Sequence, residues 1–106
     1  MPRKRAFAIY APEVKQHLRA ITPKYCSLIR ATIEDQLRFE PDIATRSRKP
    51  LQQPAAFEAA WELRCGPENR FRLFYRVDQD RQEVQALAVG VKERNRLFIG
   101  GEEIEL

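Results

Sequence analysis

Residues 61–78 read WELRCGPENRFRLFYRVD and residues 84–91 read VQALAVGV, and the alternation within these two stretches decides the fold. Successive side chains of an extended chain point to opposite faces. In 70–77 this puts Phe71, Leu73, Tyr75 and Val77 on one face and Arg70, Arg72, Phe74 and Arg76 on the other. One face suits a core, and the other shows three guanidiniums, a platform for a polyanion. Gly66-Pro-Glu-Asn69 turns the strand beginning at Trp61 into this middle strand, and Asp78 to Gln82 turn it into the third. That third strand is apolar on both faces, with Val84, Ala86 and Ala88 on one and Leu87, Val89 and Val91 on the other. Such a strand belongs in a sheet interior.

Working outward, residues 6–10 (AFAIY) are a short apolar run that predicts a first strand lying beside 84–91. Pro12 then opens a helix, with Glu13 in its first turn and Val14, Leu18 and Ile21 as its buried stripe. Thr22 and Pro23 cap and start a second helix. Its buried face is expected to hold Tyr25, Leu28, Ile29, Thr32, Ile33 and Leu37, with Glu34 and Arg38 paired outside. Residues 39–57 carry Pro41, Pro50 and Pro54, which argues for a surface loop with Arg46, Arg48 and Lys49 in solvent, candidates for phosphate contact. After the third strand come Lys92, Arg94 and Arg96, then 97–99 (LFI) as an extra edge strand or anchor. Gly100-Gly101 reads as a hinge into a partly ordered acidic tail. The expected architecture is α+β: an N-terminal strand and a two-helix hairpin packed on a mostly antiparallel sheet, with a C-terminal three-strand meander.

The bulk numbers agree. A chain of 106 residues, 43% hydrophobic and 32% charged, suits one domain over 1–106 with one core. The net charge is +4, and fourteen of the nineteen basic residues are Arg, whose planar fork grips phosphate. A solvated basic surface is the plainer explanation of the same count. Two cysteines in no metal-like spacing and no signal-like segment predict a cytoplasmic protein without a membrane span.

The motifs WELR (61–64), FYRVD (74–78), LAVG (87–90) and LFIGGEE (97–103), in a strand-helix-helix-meander order, resemble the RelE/ParE superfamily of toxins from bacterial type II toxin–antitoxin modules. The resemblance covers essentially the whole chain and is most specific from Trp61 onward. It implies a cytoplasmic toxin neutralised by a cognate antitoxin. RelE-like members cut mRNA in the ribosomal A site, and ParE-like members poison DNA gyrase. Residues 92–98 (KERNRLF) look like the basic segment with a terminal aromatic of the RelE-like branch, which implies a ribosome-dependent mRNA endonuclease. Position by position, Arg72 matches the family's central arginine, and Lys92 matches another cation. Phe98 stands where RelE has a tyrosine. Two lysines that RelE carries on the first meander strand are replaced by Ala60 and Glu62, and Arg64 and Arg70 are the nearby cations that could take their place.

Cleavage of RNA by its own 2′-hydroxyl requires alignment, stabilisation of charge on phosphorus and movement of two protons. Arginines supply the second need but stay protonated. His17 is the single histidine and reads as a surface or boundary residue. Lys92 serves as a base only if its surroundings lower its pKa. Glu62 is a conceivable base but reads better as an ion-pair partner of Arg64 or Arg72. No cluster has metal-ligand spacing, so the expected enzyme is a metal-free endoribonuclease without a cofactor. The expected catalytic set is Arg72, Lys92 and Arg64. The expected RNA contacts are Arg46, Arg48, Lys49, Arg70, Arg76, Arg94, Arg96 and Phe98. The partners are an antitoxin, the ribosome and mRNA. The alternative is a toxin that does not cut RNA, either acting on gyrase or only binding its partner.

Overall fold

The computed structural model describes residues 6–53 and 55–104. The basic start (1–5), Pro54 and the last two residues of the acidic tail lie outside the described residues. The chain runs β1 (Phe7–Tyr10), α1 (Glu13–Arg19), α2 (Pro23–Leu37), β2 (Arg48–Pro50), β3 (Trp61–Cys65), β4 (Phe71–Asp78), β5 (Glu83–Glu93), β6 (Arg96–Ile99) and β7 (Glu102–Ile104). The strands form one sheet in the order β2-β3-β4-β5-β6-β7, antiparallel along that path, with β1 parallel to β5. This is the expected α+β arrangement, including the placement of β1 beside the interior strand.

β5 is the axis of the sheet. β4 runs along one edge. The other edge is shared: β1 pairs with Glu83 to Ala86, and β6 pairs with Gly90 to Glu93. Helix α1 spans the interval between them. The Ala11 N–H donates to the Ala86 carbonyl at 2.9 Å, and the Val89 N–H donates to His17 Nδ1 at 3.3 Å. The backbone donor at the gap is thus satisfied by a side chain, as an interior strand requires.

The helices cover one face because their apolar residues recur at helical spacing. Ile29, Ile33 and Leu37 of α2, with Val14 and Ile21, form one buried cluster with Leu63, Phe71, Leu73, Tyr75, Val84, Ala86 and Val89. Tyr25 tilts against Phe71 with ring centroids 5.1 Å apart, and Trp61 stacks on Tyr75 at 6.3 Å. Leu28, expected in the buried stripe, is 40% exposed, because the face toward the sheet is narrower than the apolar spacing suggested. Pro12 occupies the N-cap of α1 rather than its first turn, and Thr22 makes no side-chain cap bond.

Larger expectations change as well. The β4–β5 ladder shifts register between Phe74 and Tyr75: Phe74 pairs with Ala88 and Tyr75 with Ala86, leaving Leu87 without a partner. A one-residue bulge reverses which face each later side chain takes. Val84 and Ala86 therefore share the helix-side core with Val89, while Ala88 joins the opposite face. Segment 39–57 is also more than a surface loop. Arg48 to Pro50 pair with Leu63 to Trp61 as an edge strand, where Pro50 is tolerated. The Tyr75 hydroxyl donates to the Pro41 carbonyl at 2.7 Å and pins the segment from inside.

That segment then folds over the sheet face away from the helices. Ala59 is fully buried there with Phe74, Ala88, Leu97 and Ile99, and Leu51 packs beside them. The sheet consequently has a core on each face. Gly90 is required by this second cluster: a Cβ there would meet Leu97 Cδ1 at 2.8 Å and Ile99 Cγ1 at 3.0 Å. Residues 97–99, expected as an extra edge strand or anchor, are an inner strand, because β7 follows Gly100-Gly101 (φ +63° and +85°) and pairs with β6.

Candidate functional site

At the end of the sheet where β4 starts and β5 finishes, the chain leaves an open groove of about 990 Å³. Its cations are Arg70, Arg72, Lys92, Arg94 and Arg96, and its carboxylates are Glu68 and Glu93. Local geometry explains the concentration. Arg70 and Arg72 alternate outward from the buried Phe71 and Leu73. The Lys92 N–H donates to the Arg70 carbonyl at 2.8 Å, which sets Lys92 opposite Arg70. Glu93 and Arg96 close the β5–β6 hairpin around a two-residue turn, Arg94-Asn95, with φ +49° and +67°. Positive φ at both positions is the primed turn that matches strand twist, and it projects Arg94 from the tip.

The cations differ in how far they are already engaged. Arg72 is held most firmly: Nη1 lies 2.6 Å from Glu62 Oε1, and Nε donates to the Asn69 carbonyl at 2.9 Å. Arg64 Nε reaches the same Glu62 oxygen at 3.4 Å. Glu62 is buried, as the ion-pair reading of it requires. Arg70 pairs with Glu93 at 2.9 Å and Arg96 with Glu103 at 3.6 Å, both in solvent, where such pairs contribute little. Among the described residues, Lys92 and Arg94 have no ion pair or side-chain hydrogen bond, so they are the groove's available charges.

The fold superposes with TM-score 0.68 on a chain of the toxin–antitoxin complex RelBE2 from Mycobacterium tuberculosis, at 23% identity, covering 83% of this chain and 92% of that one. The chain has a RelE-like toxin fold. No protein-family model and no curated protein matches the sequence.

Within the RelE-like fold, the residues singled out from sequence do not all come together. Arg70, Arg72, Lys92, Arg94 and Arg96 converge on the groove. Phe98 sits at its boundary: it pairs with Val91 and borders both the groove and a smaller cavity of about 250 Å³ on the helix side, beside His17 and Tyr25. Arg64 lies across β3–β4 from Arg72, outside the groove and joined to it through Glu62. Arg46 and Lys49 are exposed on the β2 side, two strands from β4. Arg76 is at the far end of β4, bonded to Gln85 at 2.6 Å and 3.5 Å from Glu58. The buried Phe74 and the segment over it separate Arg76 from Arg72, so the three guanidiniums do not form one continuous row.

Arg48 corrects the sequence reading outright. It is 9% exposed, with Nη1 donating to the Glu40 carbonyl at 2.8 Å and Nε to Thr45 Oγ1 at 3.3 Å. A guanidinium held by a loop carbonyl and a threonine hydroxyl braces the segment instead of standing in solvent as expected. No group of three or more His, Cys, Asp or Glu among the described residues could hold a metal ion, and no helix there is long and apolar enough to cross a membrane. Burial pushes the Cys65 thiol up to about 11, which leaves it protonated and unreactive at neutral pH.

His17 had no signal in the sequence, because its role depends on the gap between β1 and β6. Burial lowers its pKa below the ordinary 6.5, against a smaller opposing pull from Glu13. The neutral ring accepts the Val89 N–H, and a protonated Nδ1 could not. Since the folded pKa lies below the unfolded one, the unfolded chain takes up the proton first as pH falls. The stabilisation is therefore complete above about pH 6.5 and is lost as pH drops through the lower folded value. Melting temperatures at pH 7.5 and 5.5 should fall further in the wild type than in His17→Gln; equal falls would assign the acid sensitivity elsewhere.

Arg94 offers a second test. A non-glycine residue at φ +49° carries roughly 1 kcal/mol of strain. Arg94→Gly should raise the melting temperature by about 4 °C and, by removing one cation, reduce the salt dependence of single-stranded RNA binding by about 0.7 in log–log slope. A rise in stability with an unchanged slope would show that Arg94 does not meet phosphate.

Proposed function

We propose that this chain is the toxin of a type II toxin–antitoxin module, acting in the cytoplasm as a ribosome-dependent mRNA endonuclease. The observation that carries the reading is the convergence of five cations on one groove of a RelE-like fold, with Lys92 and Arg94 free among the described residues. The structural neighbour is itself a toxin–antitoxin complex, which supports an antitoxin partner, expected to lay an acidic or amphipathic segment over the basic groove.

The chemistry follows from the side chains. The RNA 2′-oxygen attacks the adjacent phosphorus, the bond to the 5′-oxygen breaks, and a 2′,3′-cyclic phosphate and a 5′-hydroxyl result. Arg70, Arg94 and Arg96 stabilise the added negative charge on the phosphoryl oxygens. The Lys92 ammonium supplies the proton to the departing 5′-oxygen, and the carboxylate of Glu68, which lines the groove, takes the one from the 2′-hydroxyl. The ribosome would contribute the geometry of attack. This substitutes Glu68 for the base that neither Glu62 nor His17 can be, since the first is committed to arginines and the second to Val89.

One observation favours a second reading. Arg72, the residue matching the family's central arginine, is already neutralised by Glu62, which suits a toxin fold that binds its target or antitoxin without cutting RNA. Mapping 5′ ends of a reporter mRNA in a cell-free translation reaction, with and without ribosomes, separates the two. Cuts confined to translated message are expected. Intact message with added protein would transfer the proposal to the non-nucleolytic class.

A further inference from the structure

Glu62 occupies a position that chemistry would assign to a ligand. A single carboxylate oxygen, Oε1, receives Arg72 Nη1 at 2.6 Å and Arg64 Nε at 3.4 Å. Anions that bind between two guanidiniums do so in this way. Glu62 itself is 5% exposed. Its neighbours on β3 and β4 keep it there: it pairs with Phe74 across the ladder, and Phe74 is buried in the second core. Arg72 is fixed in turn by the Asn69 carbonyl. The three side chains are a preformed anion site whose occupant is part of the chain.

We propose that Glu62 is an internal counter-anion that neutralises the site between Arg64 and Arg72, and so sets how strongly the neighbouring groove binds a polyanionic chain. The trio carries a net charge of about +1 where the two arginines alone would carry +2, so one cation's worth of phosphate binding is withheld. Glu62 is in this sense a specificity-determining residue. It lowers affinity for any phosphate backbone and leaves discrimination to ligands that also engage Lys92 and Arg94. The inference rests on the RNA-binding reading for its biological meaning, but the anion site itself does not.

The probes are inorganic phosphate and a single-stranded oligouridylate. Glu62→Gln keeps the side chain's size but removes its charge and leaves both guanidiniums uncompensated, so 20 mM phosphate should raise the melting temperature of Glu62→Gln by a few degrees over chloride of equal ionic strength, while the wild type shows no difference. Glu62→Gln should also bind the oligonucleotide about tenfold more tightly at low salt, with a log–log salt slope steeper by about 0.7. A purely structural role for Glu62 would move stability but not the slope. The charge-compensated pair Glu62→Gln/Arg72→Gln should return to the wild-type slope.

That double variant keeps the proposal open to refutation even if the single one does not fold. Were Arg72 already bound to phosphate in the wild type, the double variant would lose a contact and its slope would fall by about 0.7, which overturns the proposal. A Glu62→Gln protein that folds but shows neither phosphate stabilisation nor a steeper slope overturns it as well. If no variant binds RNA yet phosphate stabilises Glu62→Gln, the internal counter-anion stands and the RNA reading of the groove falls.

Discussion

Lys92→Ala is expected to slow cleavage of a translated message about a hundredfold, the usual worth of one positioned proton donor, with the fold intact. Lys92 is on β5 where the sheet gives it a rigid base: its N–H is bonded to the Arg70 carbonyl, and the next residues close the hairpin. Its ammonium has no partner among the described residues, whereas Arg72 and Arg70 each have a carboxylate within 3 Å. A free ammonium beside a phosphate site can both attract charge and deliver a proton, which a paired arginine cannot. The measurement is single-turnover cutting of a reporter on programmed ribosomes, with circular dichroism as the control for folding. A rate within threefold of wild type would remove Lys92 from the chemistry. Lys92→Arg separates the two roles, since it keeps the charge but withholds the proton. It should retain RNA affinity and still lose most of the rate.

The second large effect is on stability. Phe71→Ala is expected to cost about 3–5 kcal/mol and to lower the melting temperature by well over 10 °C. Phe71 is 2% exposed, and its ring meets Tyr25 of α2, so it ties the helix layer to the sheet. It also seats the turn before β4. Gly66 has φ +82°, and a Cβ there would fall 2.4 Å from the Phe71 ring. Deleting the ring leaves a cavity beneath the one turn that aims Arg70 and Arg72. The groove should therefore loosen along with the core, and RNA affinity should fall even at temperatures where the variant is folded. Equilibrium urea unfolding measures the first effect. A loss under 1 kcal/mol would mean that the helices close over the gap.

Much of this was legible beforehand because periodicity is a local property. The alternation of Phe71, Leu73, Tyr75 and Val77 and the helical spacing of Ile29, Ile33 and Leu37 each depend on a few neighbouring residues, and each appears in the structure on the face expected. The crowding of basic residues at 92–96 was visible at the end of the interior strand, but the hairpin that carries them around the groove was not. The sequence was silent wherever two distant segments had to be compared. The bulge at Leu87 cannot be seen in a run that is apolar on both sides, because either phase buries an apolar residue. Arg48 looked like its exposed neighbours until the Glu40 carbonyl was found facing it.

The sequence by itself determined the elements, their order, the apolar face and the stock of cations, because these follow from side-chain spacing and from charges that persist in any conformation. Only the tertiary structure decided which of those charges remain available. An arginine's charge is cancelled by a carboxylate a few ångströms away, and Glu62 reaches Arg72 across a ladder between residues ten apart in the chain. The same ladder carries the second core that splits Arg76 from the groove, where among the described residues Lys92 and Arg94 are the cations without an ion pair.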